Sequence, residues 1–229
     1  MSFRFPNESA EYRAARLRLL EMEADLVVQM ERVAEERRRL PQGGVVPEDY
    51  PFDAQEGSLR LSALFGAHDC LLLYALMYGP QAQPCPNCCS LLDGFNAVAP
   101  HLTRRVALAV VARSPIGRTL ELARSRGWGN LRMVSSANNT YNLDYGAEDR
   151  QGHQLPMMNV FVRKGEAVHH FWGTELLHSS WDSQGSRLKG ADPRHMDLVW
   201  PLWPLLDMTP QGRGTDWYPS LSYGCSCSA

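Results

Sequence analysis

Two unbroken apolar runs most strongly constrain the fold of this chain. Leu71–Met77 and Val106–Ala112 each contain seven residues and no charged side chain. A strand that faces water on one side alternates apolar and polar residues, so an unbroken run is typical of a strand buried on both faces. The segment between them, Pro86–Pro100, carries apolar residues at helical spacing. Because a helix between two such strands forms a crossover connection, the pattern predicts a parallel sheet with helices packed against it.

The segments that follow continue this alternation. Pro115–Arg126 is predicted to form a helix that Ser114 caps and Gly127 ends. Leu131–Ser135 is predicted to be a third strand. From the first apolar run onward the order is therefore β-α-β-α-β, which predicts an α/β fold.

Less regular structure is predicted on either side of this core. Pro47–Gly57 is predicted to be a loop, and Leu59–Gly66 a short extended piece with a turn. Ser136–Leu155 is polar and irregular. After it, Met157–Arg163 and Ala167–Trp172 are predicted to form a β-hairpin, which adds an antiparallel edge to the sheet.

The C-terminal part of the chain combines proline with tryptophan. A helix is predicted over Asp192–Val199, because Asp is a favourable N-cap, and Pro201 and Pro204 are predicted to break it. Trp200 and Trp203 lie beside these prolines. On one interpretation they are packing anchors, and on the other they line a substrate groove.

A long helix is predicted before the α/β region. Glu8–Leu40 mixes charges of both signs with spaced apolar residues, Ser9 is a suitable N-cap, and Pro41 with Gly43-Gly44 ends the helix. A helix of this length cannot bury its apolar stripe alone. It either lies along the rest of the chain or packs against a second copy in a homodimer. The stripe consists of Tyr12, Leu19, Met22, Leu26, Met30, Val33 and Arg37.

The predicted organisation is a helical arm at residues 1–45, a globular domain at 46–223 and a short tail at 224–229. Lys and Arg total 23 against 25 Asp and Glu, a net charge of −2, so we expect neither nucleic acid nor a membrane surface as a partner. The longest apolar run, Cys70–Met77, is far shorter than the ~20 residues that span a bilayer. The start of the chain lacks a signal-peptide pattern, and we expect a cytosolic protein.

The motif Cys85-Pro86-Asn87-Cys88 carries the strongest chemical signal, because it follows a predicted buried strand and begins a predicted helix. Two cysteines at this spacing on a first turn can form a readily reduced disulfide. At the N-cap, free backbone N–H groups and the helix dipole favour a thiolate, and Pro86 suits the first helical position. We therefore predict Cys85 as the attacking thiol and Cys88 as the resolving thiol. The alternative is a pair of inert structural cysteines.

Three further cysteines leave alternatives open. Cys89 is either packed in the core or an auxiliary resolving thiol. Cys225 and Cys227 would give four thiolates for zinc together with the motif pair, but C-x-C is an unusual half-site and no His lies beside either pair. We expect no metal and no other cofactor, and no role is assigned to Cys225 and Cys227.

Pro156 is a further candidate binding residue. It immediately precedes the first strand of the predicted hairpin, whose start lies beside the cysteine helix in this architecture. A cis proline there would expose a backbone edge to a bound polypeptide or thiol. We therefore predict a cis peptide bond between Leu155 and Pro156, although most such bonds are trans.

Several motifs together resemble one family, the thioredoxin-like proteins labelled predicted dithiol–disulfide oxidoreductases, over about residues 10–223. The resemblance implies a thioredoxin-like three-layer α/β/α sandwich. It also implies thiol–disulfide exchange at Cys85 and Cys88, with protein or small-molecule thiols and disulfides as substrates. The motifs are Arg37-Arg38-Arg39-Leu40-Pro41, Cys85-Pro86-Asn87-Cys88, Arg126-Gly127-Trp128, Asn142-Leu143-Asp144-Tyr145, and the run from Arg194-His195 through Trp200-Pro201 to Gly212-Arg213-Gly214-Thr215-Asp216-Trp217.

The same region also resembles the peroxiredoxin branch of thioredoxin-like folds, which inserts an extra strand like Leu131–Ser135. The peroxidatic pattern of that branch is Pro-x-x-x-Thr/Ser-x-x-Cys. Here Ala82 and Gln81 lie three and four residues before Cys85, so the hydroxyl of that pattern is missing. The functional hypothesis is a thiol–disulfide oxidoreductase. The alternatives are a non-catalytic thioredoxin-like binding or scaffold protein and, less favoured, a thiol peroxidase.

Overall fold

The computed structural model of this 229-residue chain describes residues 3–175, 198–214 and 217–223. The chain divides into two compact units, Met1–Gln42 and Gly43–Ala229. Among the described residues, no helix has the combined length and apolar character that crossing a bilayer requires.

The first unit confirms the long N-terminal helix. Helix α1 spans Ala10–Arg38, and the Ser9 hydroxyl accepts a hydrogen bond from the Tyr12 N–H at 3.0 Å, as the predicted N-cap should. None of the side chains in α1 is buried, and Met22 of the apolar stripe is 67% exposed. The homodimer that would cover this stripe remains a prediction.

The second unit contains a seven-stranded mixed sheet with the strand order β2-β1-β5-β4-β3-β6-β7. The three central strands β3, β4 and β5 are parallel, whereas β6 and β7 form an antiparallel hairpin on one side and β1 and β2 another on the far side. The strands are β1 Pro51–Ala54, β2 Gly57–Arg60, β3 Cys70–Leu76, β4 Ala107–Ala112, β5 Arg132–Ser135, β6 Met157–Lys164 and β7 Ala167–Gly173.

Helices cover both faces of this sheet and create two hydrophobic cores. Helices α3, α4 and α6 pack on one face, against alternate residues of β3 such as Tyr74 and Leu76. Helices α2 and α5 pack on the other face, against Leu71 and Leu73. The three layers and the strand order confirm the thioredoxin-like α/β fold, with β5 as the extra strand. The helices are α2 Leu61–Leu64, α3 Pro86–Leu102, α4 Ile116–Arg126, α5 Tyr141–Asp144 and α6 Leu202–Asp207.

The predicted loop at Pro47–Gly57 was wrong, because it contains strand β1. Phe52 and Ala54 are buried and alternate with the less buried Pro51 and Asp53, which is the period of a strand. A four-residue strand that contains both Pro and Asp gives little signal in sequence, and its pairing with β2 and β5 stabilises it instead.

Helix α6 was not predicted, and it starts at Pro201 and Pro204, the two prolines expected to end a preceding helix at about Val199. Pro201 is the N-cap and Pro204 falls in the first turn. Backbone N–H groups of a first turn have no partner inside the helix, so proline costs no hydrogen bond there. The predicted helix over Asp192–Val199 lies outside the described residues apart from its last two positions, which form a turn.

Helix α4 starts one residue later than predicted, because Pro115 and not Ser114 is its N-cap. Ser114 is fully buried, and its carbonyl oxygen accepts a hydrogen bond from the Ser135 hydroxyl at 2.7 Å. Gly127 ends the helix as predicted, in the left-handed conformation with φ of 71°.

The Gly127→Ala variant should lower the free energy of unfolding by about 1 kcal/mol, because a side chain disfavours this left-handed backbone. An added Cβ would meet no atom within 4 Å there, so the cost comes from the backbone and not from a clash. Gly129→Ala is the matched control: its Cβ also has open space and its φ is not in the left-handed range. Urea unfolding of both variants tests this, and equal effects would contradict it.

Candidate active site

Strand β3 and helix α3 together position the cysteine motif. After β3 ends, the Cys85 N–H donates to the Met77 carbonyl oxygen at 3.0 Å, which anchors the connecting loop to the strand end. Cys85 is the N-cap of α3 and Pro86 is its first residue, as predicted. The Cys85 carbonyl oxygen accepts the first helical hydrogen bond from the Cys89 N–H at 3.0 Å. The Cys85 sulfur therefore lies where the helix N–H groups point.

The Cys85 thiol is strongly acidified. Its pKa falls from 9.0 to about 6, chiefly because the Cys88 thiol donates a hydrogen bond to the Cys85 sulfur. Partial burial acts in the opposite direction, and the backbone N–H groups of Cys88 and Asn87 lower the pKa further. At neutral pH the Cys85 side chain is mainly a thiolate.

Cys88 has the opposite character. Only 3% of it is exposed, and its pKa is raised well above the usual value by its hydrogen bond to Cys85 and by burial. Two groups act against this increase. The Tyr74 hydroxyl and the Met77 backbone N–H both hydrogen-bond to the Cys88 sulfur and favour its ionised form. The pair thus combines a thiolate near the surface with a protonated thiol beneath it.

Arg118 of helix α4 holds the loop that leads to Cys85. Its guanidinium donates to the carbonyl oxygens of Gly79 at 3.2 Å and Ala82 at 3.0 Å, and also to that of Pro80. It lies over the ring of Tyr78, 4.7 Å from the centroid. Three carbonyl acceptors on one cation restrain the loop and hence the position of the N-cap.

A cleft of about 370 Å³ opens onto the two cysteines. Of the predicted site residues it brings together Cys85, Cys88, Pro156, Trp200 and Trp203. The indole N–H of Trp200 donates to the Ser90 hydroxyl of α3 at 3.1 Å, which fixes this wall to the cysteine helix. Pro86 and Cys89 do not line the cleft.

The predicted cis bond at Pro156 was wrong. No peptide bond between described residues is cis. Trans is the default for an X-Pro bond by about 0.5–1 kcal/mol, and the position beside the cysteine helix does not by itself require the cis form. Pro156 nevertheless lies in the cleft with Cys85.

Cys89 is fully buried, and burial raises its pKa to about 12. This environment favours packing in the core over chemistry at neutral pH. Cys225 and Cys227 lie outside the described residues. The alternative of a zinc site made of these two cysteines with Cys85 and Cys88 is therefore not tested by the structure. Within the described ranges, no three His, Cys, Asp or Glu side chains cluster in a way that could hold a metal ion.

Several residues of the cleft were not predicted as site residues, among them Tyr74, Arg213, Trp217 and Tyr218. A signal for Tyr74 existed, because it is the one polar side chain inside the apolar run Leu71–Met77. The other three follow α6 and contact Trp203. The rings of Trp217 and Tyr218 each lie 6.1 Å from the Trp203 ring, centroid to centroid, and the Arg213 guanidinium lies 5.6 Å from it. Only the tertiary structure shows this contact.

Comparison with known proteins gives one family and a group of solved structures. The family described as "bacterial protein of unknown function", DUF899, matches residues 3–223. No curated protein matches the chain.

Among solved structures, peroxidoxin BcpB from Mycobacterium tuberculosis is 18% identical with a TM-score of 0.44, and the match covers 71% of this chain and 95% of that protein. Peroxiredoxin Q from Xanthomonas campestris is 17% identical with a TM-score of 0.44, covering 70% and 94%. A peroxiredoxin-like protein from Aquifex aeolicus is 16% identical with a TM-score of 0.45, covering 58% and 75%.

The rate at which iodoacetamide alkylates Cys85 should rise with pH through a midpoint near the pKa of about 6 and level off above it. The sign follows from the lowered pKa, because the reactive thiolate is already formed at pH values above that midpoint. Cys70 is an internal comparison: it is also partly buried, but burial raises its pKa, so its alkylation should still increase above pH 9.0. Peptide mass spectrometry separates the two sites.

Two variants test the cause of this acidity. Cys88→Ala removes the donor to Cys85 and should move the alkylation midpoint upward toward 9.0. Cys88→Ser keeps a hydroxyl donor at the same position and should retain most of the shift. The same midpoint in both variants would show that the Cys88 hydrogen bond is not the cause.

Proposed function

The chain belongs to DUF899, a family of bacterial proteins of unknown function, and we propose that this member is a thiol–disulfide oxidoreductase that uses Cys85 and Cys88. The observation that carries the proposal is the opposite acidity of the two thiols: the pKa of Cys85 is lowered and that of Cys88 is raised. Thiol–disulfide exchange needs a thiolate to attack and a second thiol that stays protonated until it is required.

In the first step the Cys85 thiolate attacks one sulfur of a substrate disulfide. A bond forms between the Cys85 sulfur and that substrate sulfur, the substrate S–S bond breaks, and the other half leaves as a thiolate. The apolar cleft above Cys85 gives the substrate access to the sulfur. The backbone N–H groups of Asn87 and Cys88 lower the pKa of Cys85 and so favour its thiolate before the attack.

In the second step Cys88 attacks the Cys85 sulfur of this mixed disulfide. Cys88 loses its proton to solvent or to the departing thiolate, the Cys85–Cys88 bond forms, and the second half of the substrate leaves as a thiolate. The substrate gains two electrons and the dithiol loses them. A dithiol reductant then returns the protein disulfide to its reduced form.

The first step activates Cys88 for the second. The largest cause of its raised pKa is the hydrogen bond to Cys85, and the negative charge of Cys85 adds to the effect. Both disappear once Cys85 is in a mixed disulfide. The hydrogen bonds from Tyr74 and Met77 then remain, and these favour the Cys88 thiolate. Cys88 therefore ionises more easily when its attack is required.

Substitution of the cysteines tests the proposal with dithiothreitol as the reductant and bis(2-hydroxyethyl) disulfide as the substrate. Cys85→Ser should abolish disulfide reduction, because the attacking thiolate is lost. Cys88→Ser should instead accumulate a mixed disulfide at Cys85, detected by intact mass. Cys88→Ser combined with Cys89→Ser should give the same adduct if Cys89 only packs in the core. Unchanged turnover in Cys85→Ser would favour the non-catalytic alternative.

Tyr74→Phe should slow the second step by roughly tenfold, because it removes a hydrogen bond to the Cys88 thiolate, while leaving the first step unchanged. Stopped-flow measurement with a chromogenic disulfide separates the two phases as release of the first and the second thiolate. Tyr78→Phe is the matched control, since Tyr78 is also buried but does not line the cleft. Equal slowing of both phases would remove the role of Tyr74 in resolution.

A further inference from the structure

We infer that the substrate is a compact thiol or disulfide with an uncharged aromatic or branched aliphatic substituent, which binds in the cleft above Cys85. The inference rests on the proposed function and concerns the substrate class of that site. It is carried by the walls of the cleft, by their charge and by the size of the space they enclose.

Aromatic rings form one wall of the cleft. Trp203 lies at the centre of this wall, with the Trp200 ring at 5.7 Å and the Trp217 and Tyr218 rings at 6.1 Å, all in edge-to-face geometry. Leu91 and Pro156 line the cleft as well. Rings in mutual edge-to-face contact present both apolar faces and ring edges, and a substrate group can pack against either.

The described walls provide little for a charged substrate. Apart from the Cys85 thiolate, Arg213 is the one formally charged side chain among the described lining residues. Its Nε lies 2.9 Å from Asp207 Oδ1 and its Nη2 lies 2.7 Å from Asp207 Oδ2, and its guanidinium also stands 5.6 Å from the Trp203 centroid. The Asp207 carboxylate therefore already neutralises the charge of Arg213. A substrate carboxylate or ammonium group inserted between the aromatic rings would lose water without gaining a hydrogen-bond partner from them.

The size of the cleft favours a small substituent over a polypeptide. A volume of about 370 Å³ is near the lower end of the roughly 300–1,000 Å³ typical of small-molecule sites. Oxidised glutathione carries several carboxylate and ammonium groups and does not match these walls. A benzyl group attached to the reacting sulfur would reach the rings while its sulfur lies at Cys85.

The test compares dibenzyl disulfide, bis(2-hydroxyethyl) disulfide and oxidised glutathione as oxidants of the reduced protein. Each rate is divided by the rate at which the same disulfide oxidises mercaptoethanol, which removes differences in intrinsic reactivity. The normalised rate should be about tenfold or more higher for dibenzyl disulfide than for the other two, because burying one aromatic ring is worth at least that factor. Equal or faster reaction of oxidised glutathione, or of a disulfide-containing peptide, would overturn the inference.

Two exposed tyrosines give a matched pair of variants. Tyr218 lines the cleft and is 67% exposed, whereas Tyr223 does not line it and is 65% exposed. Tyr218→Ala should lower the preference for dibenzyl disulfide about threefold or more, and Tyr223→Ala should leave it unchanged. The same preference in both variants would contradict a role for the aromatic wall.

A binding measurement separates this inference from the proposed function. Benzyl mercaptan should quench the tryptophan fluorescence of the Cys85→Ser variant at concentrations at which mercaptoethanol does not. If quenching occurs but no disulfide oxidises the wild-type dithiol, the cleft binds this class of ligand and the proposed function fails. If no quenching occurs, the inference fails, whatever the redox activity.

Discussion

The burial of β3 on both faces is the constraint on which the rest of this domain depends. The strand lies between β4 and β6 in the sheet, and its alternate residues contribute to both hydrophobic cores. Directly after its last residue, the Met77 carbonyl oxygen accepts a hydrogen bond from the Cys85 N–H and so anchors the loop that leads to the cysteine helix. A strand this apolar is stable only when it is buried, and its pairing with β4 and β6 buries it. Because the position of β3 is fixed in this way, the position at which α3 begins is fixed as well.

Depth within the fold gives two chemically identical side chains opposite acidities. Cys85 lies at the helix N-cap beside the cleft, whereas Cys88 lies one turn further in, against Tyr74. The helix places the two sulfurs within hydrogen-bond distance but in different surroundings. The hydrogen bond between the two thiols is the largest cause both of the lowered pKa of Cys85 and of the raised pKa of Cys88.

The sequence predicted the parts of the fold that rest on periodicity and capping. The runs that became β3 and β4, the N-cap at Ser9, the αL end at Gly127 and Pro86 at the start of α3 all depend on local rules. Strand β1 and the start of α6 were missed, because a short edge strand depends on its partners and a proline's effect depends on its place in the helix. Trp200 and Trp203 were predicted as possible lining residues of a groove. Trp217 and Tyr218 were not, because they reach the cleft through contacts with Trp203 that only the tertiary structure creates.

The lowered pKa of Cys85 also affects the reduction potential of the pair. Folding stabilises the reduced protein by holding Cys85 as a thiolate, and the disulfide form has no corresponding charge to stabilise. This stabilisation is lost when Cys85 and Cys88 form a disulfide. The reduction potential of the pair is therefore higher than that of two thiols with ordinary pKa values. The contribution is complete above the ordinary pKa of 9.0, decreases as the pH falls toward about 6 and is lost below that value, so the reduction potential of the pair depends on pH in this range.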